Sequence, residues 1–152
     1  NSVSGDFAAL ARDLSENEIW EEKHLFNNTD IKRMKDVEFC GTLILLYRQG
    51  IIDQTDQKPL NQAYEDLQTG YTDAESDKQH ICDAITELRK FVEDDAILKF
   101  VKRKAQLYTV FSVIFYLQRE NESIKETHIE KLKNFVKLYS VFDNDMDMDG
   151  KL

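Results

Sequence analysis

A chain of 152 residues falls within the usual range of one domain and can bury roughly two thirds of its unfolded surface without staples. Twenty-nine acidic against twenty basic residues leave a net charge of −9, which repels a phosphate backbone unless the basic residues segregate to one face. One proline and five isolated glycines are too few for the tight turns of a sandwich or barrel, and no run reaches the roughly eighteen uninterrupted apolar residues of a membrane span.

In chain order, Asp6 to Leu14 reads as a short helix, and Ser15-Glu16-Asn17-Glu18 matches a capping box that opens a second through Ile19, Trp20 and Phe26. Asn27-Asn28-Thr29-Asp30 breaks that helix. A third runs to Tyr47, with Val37, Cys40, Ile44 and Tyr47 on one stripe, Phe39, Leu43 and Leu46 beside it, and Gly50 as the stop. So wide an apolar face implies a nearly buried helix. A polar connection over 50–59 ends at Pro59, a first helical position for Leu60, Ala63, Tyr64 and Leu67.

After a loop from Tyr71 to Ser76, the spacing of Ile81, Ala84, Ile85, Leu88 and Val92 is amphipathic with a 3.6-residue period. Asp94-Asp95 separates this helix from the next. Between Leu107 and Leu117 only Thr109 and Ser112 interrupt the apolar residues, and flanks without turn signals give a length that suits a helix better than a buried strand. Ser123-Ile124-Lys125-Glu126 is a second capping box, opening a helix with Ile129, Leu132, Phe135, Val136, Tyr139 and Phe142 facing in. The expectation is an all-α, irregular bundle of six to eight helices forming a single domain over 1–152. The start at Asn1 and the incipient turn at Asp149-Gly150-Lys151-Leu152 read as cuts in a longer chain. With no signal-peptide pattern and only Cys40 and Cys82, both inside apolar periodic stretches, the reading is a cytosolic protein with reduced thiols.

Few constellations carry chemistry. Phosphate-cradling loops need clustered glycines, and these stand alone. A thiol nucleophile needs a histidine brought close to lower its pKa, yet Cys40 and Cys82 both lie on faces expected to be buried, and packing is the plainer role. Glu21-x-x-His24 has the half-site spacing of a di-iron bundle. Its nearest echo, Asp77-x-x-His80, sits at a helix start among charged residues, so a solvated face is the simpler account. His128 reads as a boundary residue.

Lys99, Lys102, Arg103 and Lys104 place four positive charges in six residues, and on one helix 99, 102 and 103 share a side that phosphates can meet. A solvated face beside an acidic neighbour is the commoner outcome. Asp145-Met146-Asp147-Met148-Asp149-Gly150 fits the first half of a calcium loop, with carboxylates at Asp145, Asp147 and Asp149 before the turn glycine and a helix ending just ahead at Phe142. The bidentate glutamate that should close the loop is missing, and a plain acidic linker over 145–150 competes with that reading.

Thr29-Asp30-Ile31-Lys32-Arg33-Met34-Lys35-Asp36-Val37-Glu38-Phe39, followed by an apolar helix, resembles the Arg-Met-Lys-Asp-x-Glu-Phe segment of the GmrSD-type restriction family, whose N-terminal region is similar to ParB and sulfiredoxin. Leu14 to Trp20 and Arg103 to Phe111 resemble the segments flanking that motif. The resemblance implies a bacterial or archaeal defence protein that restricts foreign DNA, with an upstream nucleotide-hydrolysing domain carrying an Asp-Gly-Gln-Gln-Arg motif. That motif does not occur in this sequence, so no catalytic residue is assigned and no cofactor beyond calcium is entertained.

Under this reading the chain is a non-catalytic helical domain, and Arg33, Lys35, Asp36 and Glu38 form the surface that docks to the upstream domain. Capping and intradomain ion pairs are the competing role for those four. The alternatives are a stand-alone helical adaptor whose apolar grooves bind a partner, and a calcium-responsive helical domain.

Overall fold

A computed structural model describes residues 5–51 and 56–150, with side chains described as far as Val141. Among the described residues the protein is all-helical. It comprises α1 (Asp6–Ser15), α2 (Glu18–Glu22), α3 (Asn28–Lys32), α4 (Lys35–Gln49), α5 (Lys58–Asp66), α6 (Ala74–Val92), α7 (Asp95–Val101), α8 (Lys104–Arg119) and α9 (Glu126–Gly150). None of these helices is long and apolar enough to cross a membrane.

The nine helices exceed the expected six to eight because the segment before Tyr47 is two helices, not one. Asn27 accepts from the Asp30 N–H while the Asp30 carboxylate accepts from the Asn27 N–H, a reciprocal cap that starts α3. Met34 then adopts a left-handed conformation (φ 57°) that ends α3 and begins α4 in a new direction. The two capping boxes expected at Ser15 and Ser123 do not form. Ser15 is the last residue of α1 and donates to the Arg12 carbonyl, and Asn17 caps α2 in its place. Before α9 the Lys125 N–H donates to His128 Nδ1, so His128 fills the capping role from inside the first turn.

α4 is the axis of the fold, packed by α1, α3, α5, α6 and α8. Leu43, Ile44, Leu45 and Leu46 are consecutive and all buried, as a helix enclosed on all sides requires. α8 contributes Leu107, Phe111, Ile114 and Phe115 to the same core, and α6 contributes Ile81, Ala84, Ile85 and Leu88. An aromatic cluster closes one end. Trp20 meets Phe26 edge-on at 5.4 Å and Phe39 at 6.2 Å, and Phe39 lies 6.3 Å from Phe111. The buried Trp20 Nε1–H donates to the Leu14 carbonyl at 2.9 Å, which satisfies its one polar group.

Helix ends are tied by distant segments. The Asp6 and Phe7 N–H groups donate to the carbonyls of Gln68 and Leu67, so the free donors of α1 meet the free acceptors of α5. Gly5 permits this approach: a Cβ there would stand 2.7 Å from the Gln68 carbonyl oxygen. Arg119 donates to the Leu46 and Tyr47 carbonyls at the end of α4.

Candidate docking surface

The corner between α3 and α4 carries the charged residues singled out by the motif. Phe39 is buried and Val37 half-buried, which anchors the segment, while Arg33 and Lys35 are exposed and Asp36 and Glu38 half-buried. Glu38 is held twice, by Lys35 at 3.3 Å and by Gln57 Nε2 at 3.3 Å. Arg33 is the residue after α3 and Lys35 the first of α4, so the left-handed Met34 turns the two cations outward at a bend. Met34 and Ile31 are 47% and 51% exposed, large apolar side chains on the protein surface. Beside them a shallow cleft of about 200 Å³ is walled by Met34, Val37, Leu60 and Tyr64 and rimmed by Arg33 and Glu38. Burial beside Glu38 raises the Tyr64 hydroxyl above its usual range, so it enters this cleft as a neutral donor. The corner thus presents apolar side chains flanked by charges of both signs.

The basic run is not one patch. α7 ends at Val101, and Lys102 and Arg103 occupy the corner before α8, so Lys99, Lys102 and Arg103 do not share one helix face. Lys99 and Arg103 border a groove of about 360 Å³ between α7 and α9, where Arg103 donates to the Tyr139 hydroxyl at 3.1 Å. Lys104 points the other way. Its ammonium donates to the Lys102 carbonyl at 2.8 Å and lies 4.9 Å from the centre of the Phe26 ring, and burial lowers its pKa. A change of helix direction has dispersed charges that sequence spacing groups together.

The two His-containing spacings resolve differently from one another: Glu21 and His24 are exposed, as the solvated-face reading expects, whereas Asp77 is buried. His24 lies beyond the end of α2 in a left-handed conformation (φ 52°), so it does not sit one helical turn from Glu21. Asp77, expected on a solvated face, is 6% exposed. Its Oδ2 accepts from the Tyr71 hydroxyl at 2.6 Å and from Arg48 Nη1 at 2.8 Å, and the Arg48 guanidinium lies over the Tyr71 ring at 5.1 Å. Burial, together with the Asp77 carboxylate, pushes the Tyr71 phenol well up, so it acts as a donor throughout the ordinary pH range. The signal was present in the spacing: Asp77 precedes Ile81 by four, which places it on the buried stripe of α6. His80 is exposed, stacked on Tyr47 at 5.6 Å, with its Nδ1–H donating to the Ser76 carbonyl.

Cys40 is buried, and burial pushes its thiol well up; Cys82 is half-buried and also raised by burial. Neither is an activated thiolate. Among the described residues no three His, Cys, Asp or Glu side chains are grouped so as to hold a metal ion. The helix expected to end at Phe142 continues through Gly150, so the backbone over 145–150 is helical and not looped. The side chains of Asp145, Asp147 and Asp149 lie outside the described residues. Comparison with protein-family models, with curated proteins and with solved structures finds no match to this chain.

Proposed function

We propose that this chain is a non-catalytic helical domain that docks to an upstream nucleotide-hydrolysing domain, and helps to position it or its DNA, in a GmrSD-like bacterial or archaeal defence protein of the cytoplasm. The observation that carries the reading is the α3–α4 corner. The Arg33-to-Phe39 segment, which bears the family resemblance, is anchored inward by Phe39 and presents Arg33, Met34 and Lys35 outward beside exposed Ile31. Apolar side chains within a polar rim are the anatomy of a surface that another domain covers.

The test has two parts. The reading frame preceding the codon for Asn1 is expected to encode a Gly-Gln-Arg-type motif after a strand. That upstream region, produced as a separate polypeptide, is expected to co-elute with this chain, and Met34→Asp with Lys35→Glu is expected to separate them. An unrelated upstream frame, or co-elution indifferent to the double substitution, removes the reading.

A stand-alone adaptor is the second reading, favoured by Phe135, Leu138 and Val141, which are exposed at three-residue spacing along α9. It predicts that the chain functions with no upstream region at all.

A further inference from the structure

α9, with 25 residues, is the longest of the described helices and packs chiefly against α7, which has seven. α7 therefore flanks less than half of its length. Among the described side chains of α9 only Val136 is buried, and the half-buried Ile129, Leu132 and Tyr139 share its side of the helix. Leu138 follows Val136 by two residues, a turn of about 200° that points it away from this packing. Phe135, Leu138 and Val141 are 53%, 64% and 58% exposed at three-residue steps, so they form a stripe and are not scattered singly.

Charge continues the stripe at both ends. Positions 131, 135, 138, 142, 145 and 149 alternate four and three residues apart, the spacing of a seam between two helices. The exposed Lys131 opens that seam, and Asp145 and Asp149 hold the register positions at its far end. The whole helix is polarised in the same sense. Its first part, to Val141, holds Lys131, Lys133 and Lys137 against Glu126 and Glu130, whereas the remainder holds Asp143, Asp145, Asp147 and Asp149 and no cation. Lys133 is taken by Asp94 and Glu130, but Lys131 and Lys137 enter no ion pair among the described residues.

This polarity specifies what covers the stripe. A second copy of α9 laid parallel sets Asp145 on Asp145 and Asp149 on Asp149. Laid antiparallel, it brings Lys131 to the aspartate-bearing end of the partner and Phe135 and Leu138 against one another, and two-fold symmetry repeats the match at the other end. The complement of this helix is the same helix reversed.

We propose that two copies of this chain associate through antiparallel α9 helices, with Phe135 and Leu138 of each at the centre, Val141 beside them and Lys131 of each facing the Asp145 end of the other. The apolar centre supplies the burial, and the polarised ends fix the direction. The interface uses none of the residues of the α3–α4 corner, so it stands or falls independently of docking there.

One helix on each side is a small interface, and a reversible dimer with Kd of about 10–100 µM is expected. Sedimentation equilibrium of the 152-residue chain, from about 1 µM to about 1 mM, spans that range. Leu138→Glu, at an exposed position that the fold does not need, is expected to weaken association about tenfold or more. Lys131→Glu and Asp145→Lys are each expected to weaken it about tenfold by setting like charges across the seam, and the double substitution to return it to within about threefold of the parent. The two single substitutions move net charge in opposite directions, so weakening by both excludes an effect of overall charge. Circular dichroism of each variant checks that the helical fold is kept.

A chain that stays monomeric to about 1 mM overturns the proposal and leaves the stripe to a different partner, as the stand-alone reading has it. A dimer indifferent to Leu138→Glu overturns it as well, and so do single charge reversals that the double substitution does not repair.

Discussion

The Tyr71 hydroxyl donates to Asp77 Oδ2 at 2.6 Å, and the same oxygen receives Arg48 at 2.8 Å, so one buried carboxylate joins α4, α6 and the loop between α5 and α6. Asp77→Ala leaves the phenol without its acceptor and the guanidinium with only the longer ion pair to Asp73 at 3.7 Å, and Arg48 retains some access to water. The expected loss is therefore about 2–3 kcal/mol, below the full cost of a broken buried pair. Tyr71→Phe removes one hydrogen bond and should cost about 1 kcal/mol. Urea unfolding of the two variants checks the order, and an Asp77→Ala loss no larger than that of Tyr71→Phe would show that Asp77 is not the hub.

Met34 holds positive φ without being glycine, whereas His24 and Asn121, also at positive φ, are residue types that tolerate it. Met34→Gly is expected to raise stability by about 0.5–1 kcal/mol, as relief of strain outweighs the added freedom of the unfolded chain. His24→Gly and Asn121→Gly should change little. Thermal melts of the three variants separate these outcomes, and a drop in midpoint for Met34→Gly contradicts the argument.

Asp94 caps α7 by accepting from the Ala96 and Ile97 N–H groups and pairs with Lys133 of α9 at 3.4 Å. The Ile97 N–H first, then Lys133, hold its carboxyl below the usual value. The folded pKa is thus below the unfolded one, so the contribution is present above about pH 4 and is lost as pH falls through the folded value. Asp94→Ala should cost about 1 kcal/mol at neutral pH, and the gap to the parent protein should close in acid. A gap that persists at pH 2 would mean that the carboxylate is not its source.

Burial of Cys40 predicts that its thiol resists modification in the folded protein, whereas half-buried Cys82 reacts slowly. Both should react at once in denaturant. Maleimide labelling followed by mass spectrometry distinguishes them, and fast native labelling of Cys40 would place it outside the core.

The sequence by itself determined the helical class and the inward faces of α4, α6 and α8. Period-3.6 apolar spacing is a local property, and Leu43, Ile81 and Phe111 are buried as their stripes require. Gly50 and Pro59 marked a stop and a start for the same reason, each through its own backbone constraint. Local pattern could not choose between competing caps within two residues, and Asn17 displaced Ser15 because the last turn of α1 already used Ser15.

What only the tertiary structure decided are contacts between residues far apart in the chain. Asp77 is buried because Arg48 and Tyr71 meet it there. The basic run over 99–104 is dispersed because the chain bends at Lys102 and Phe26 lies beneath Lys104. The hollow beside Ile31 exists because α3 starts afresh at the Asn27 cap and α4 leaves it at Met34. Spacing records which face of a helix is apolar; only packing decides which other face, or which lone charge, it meets.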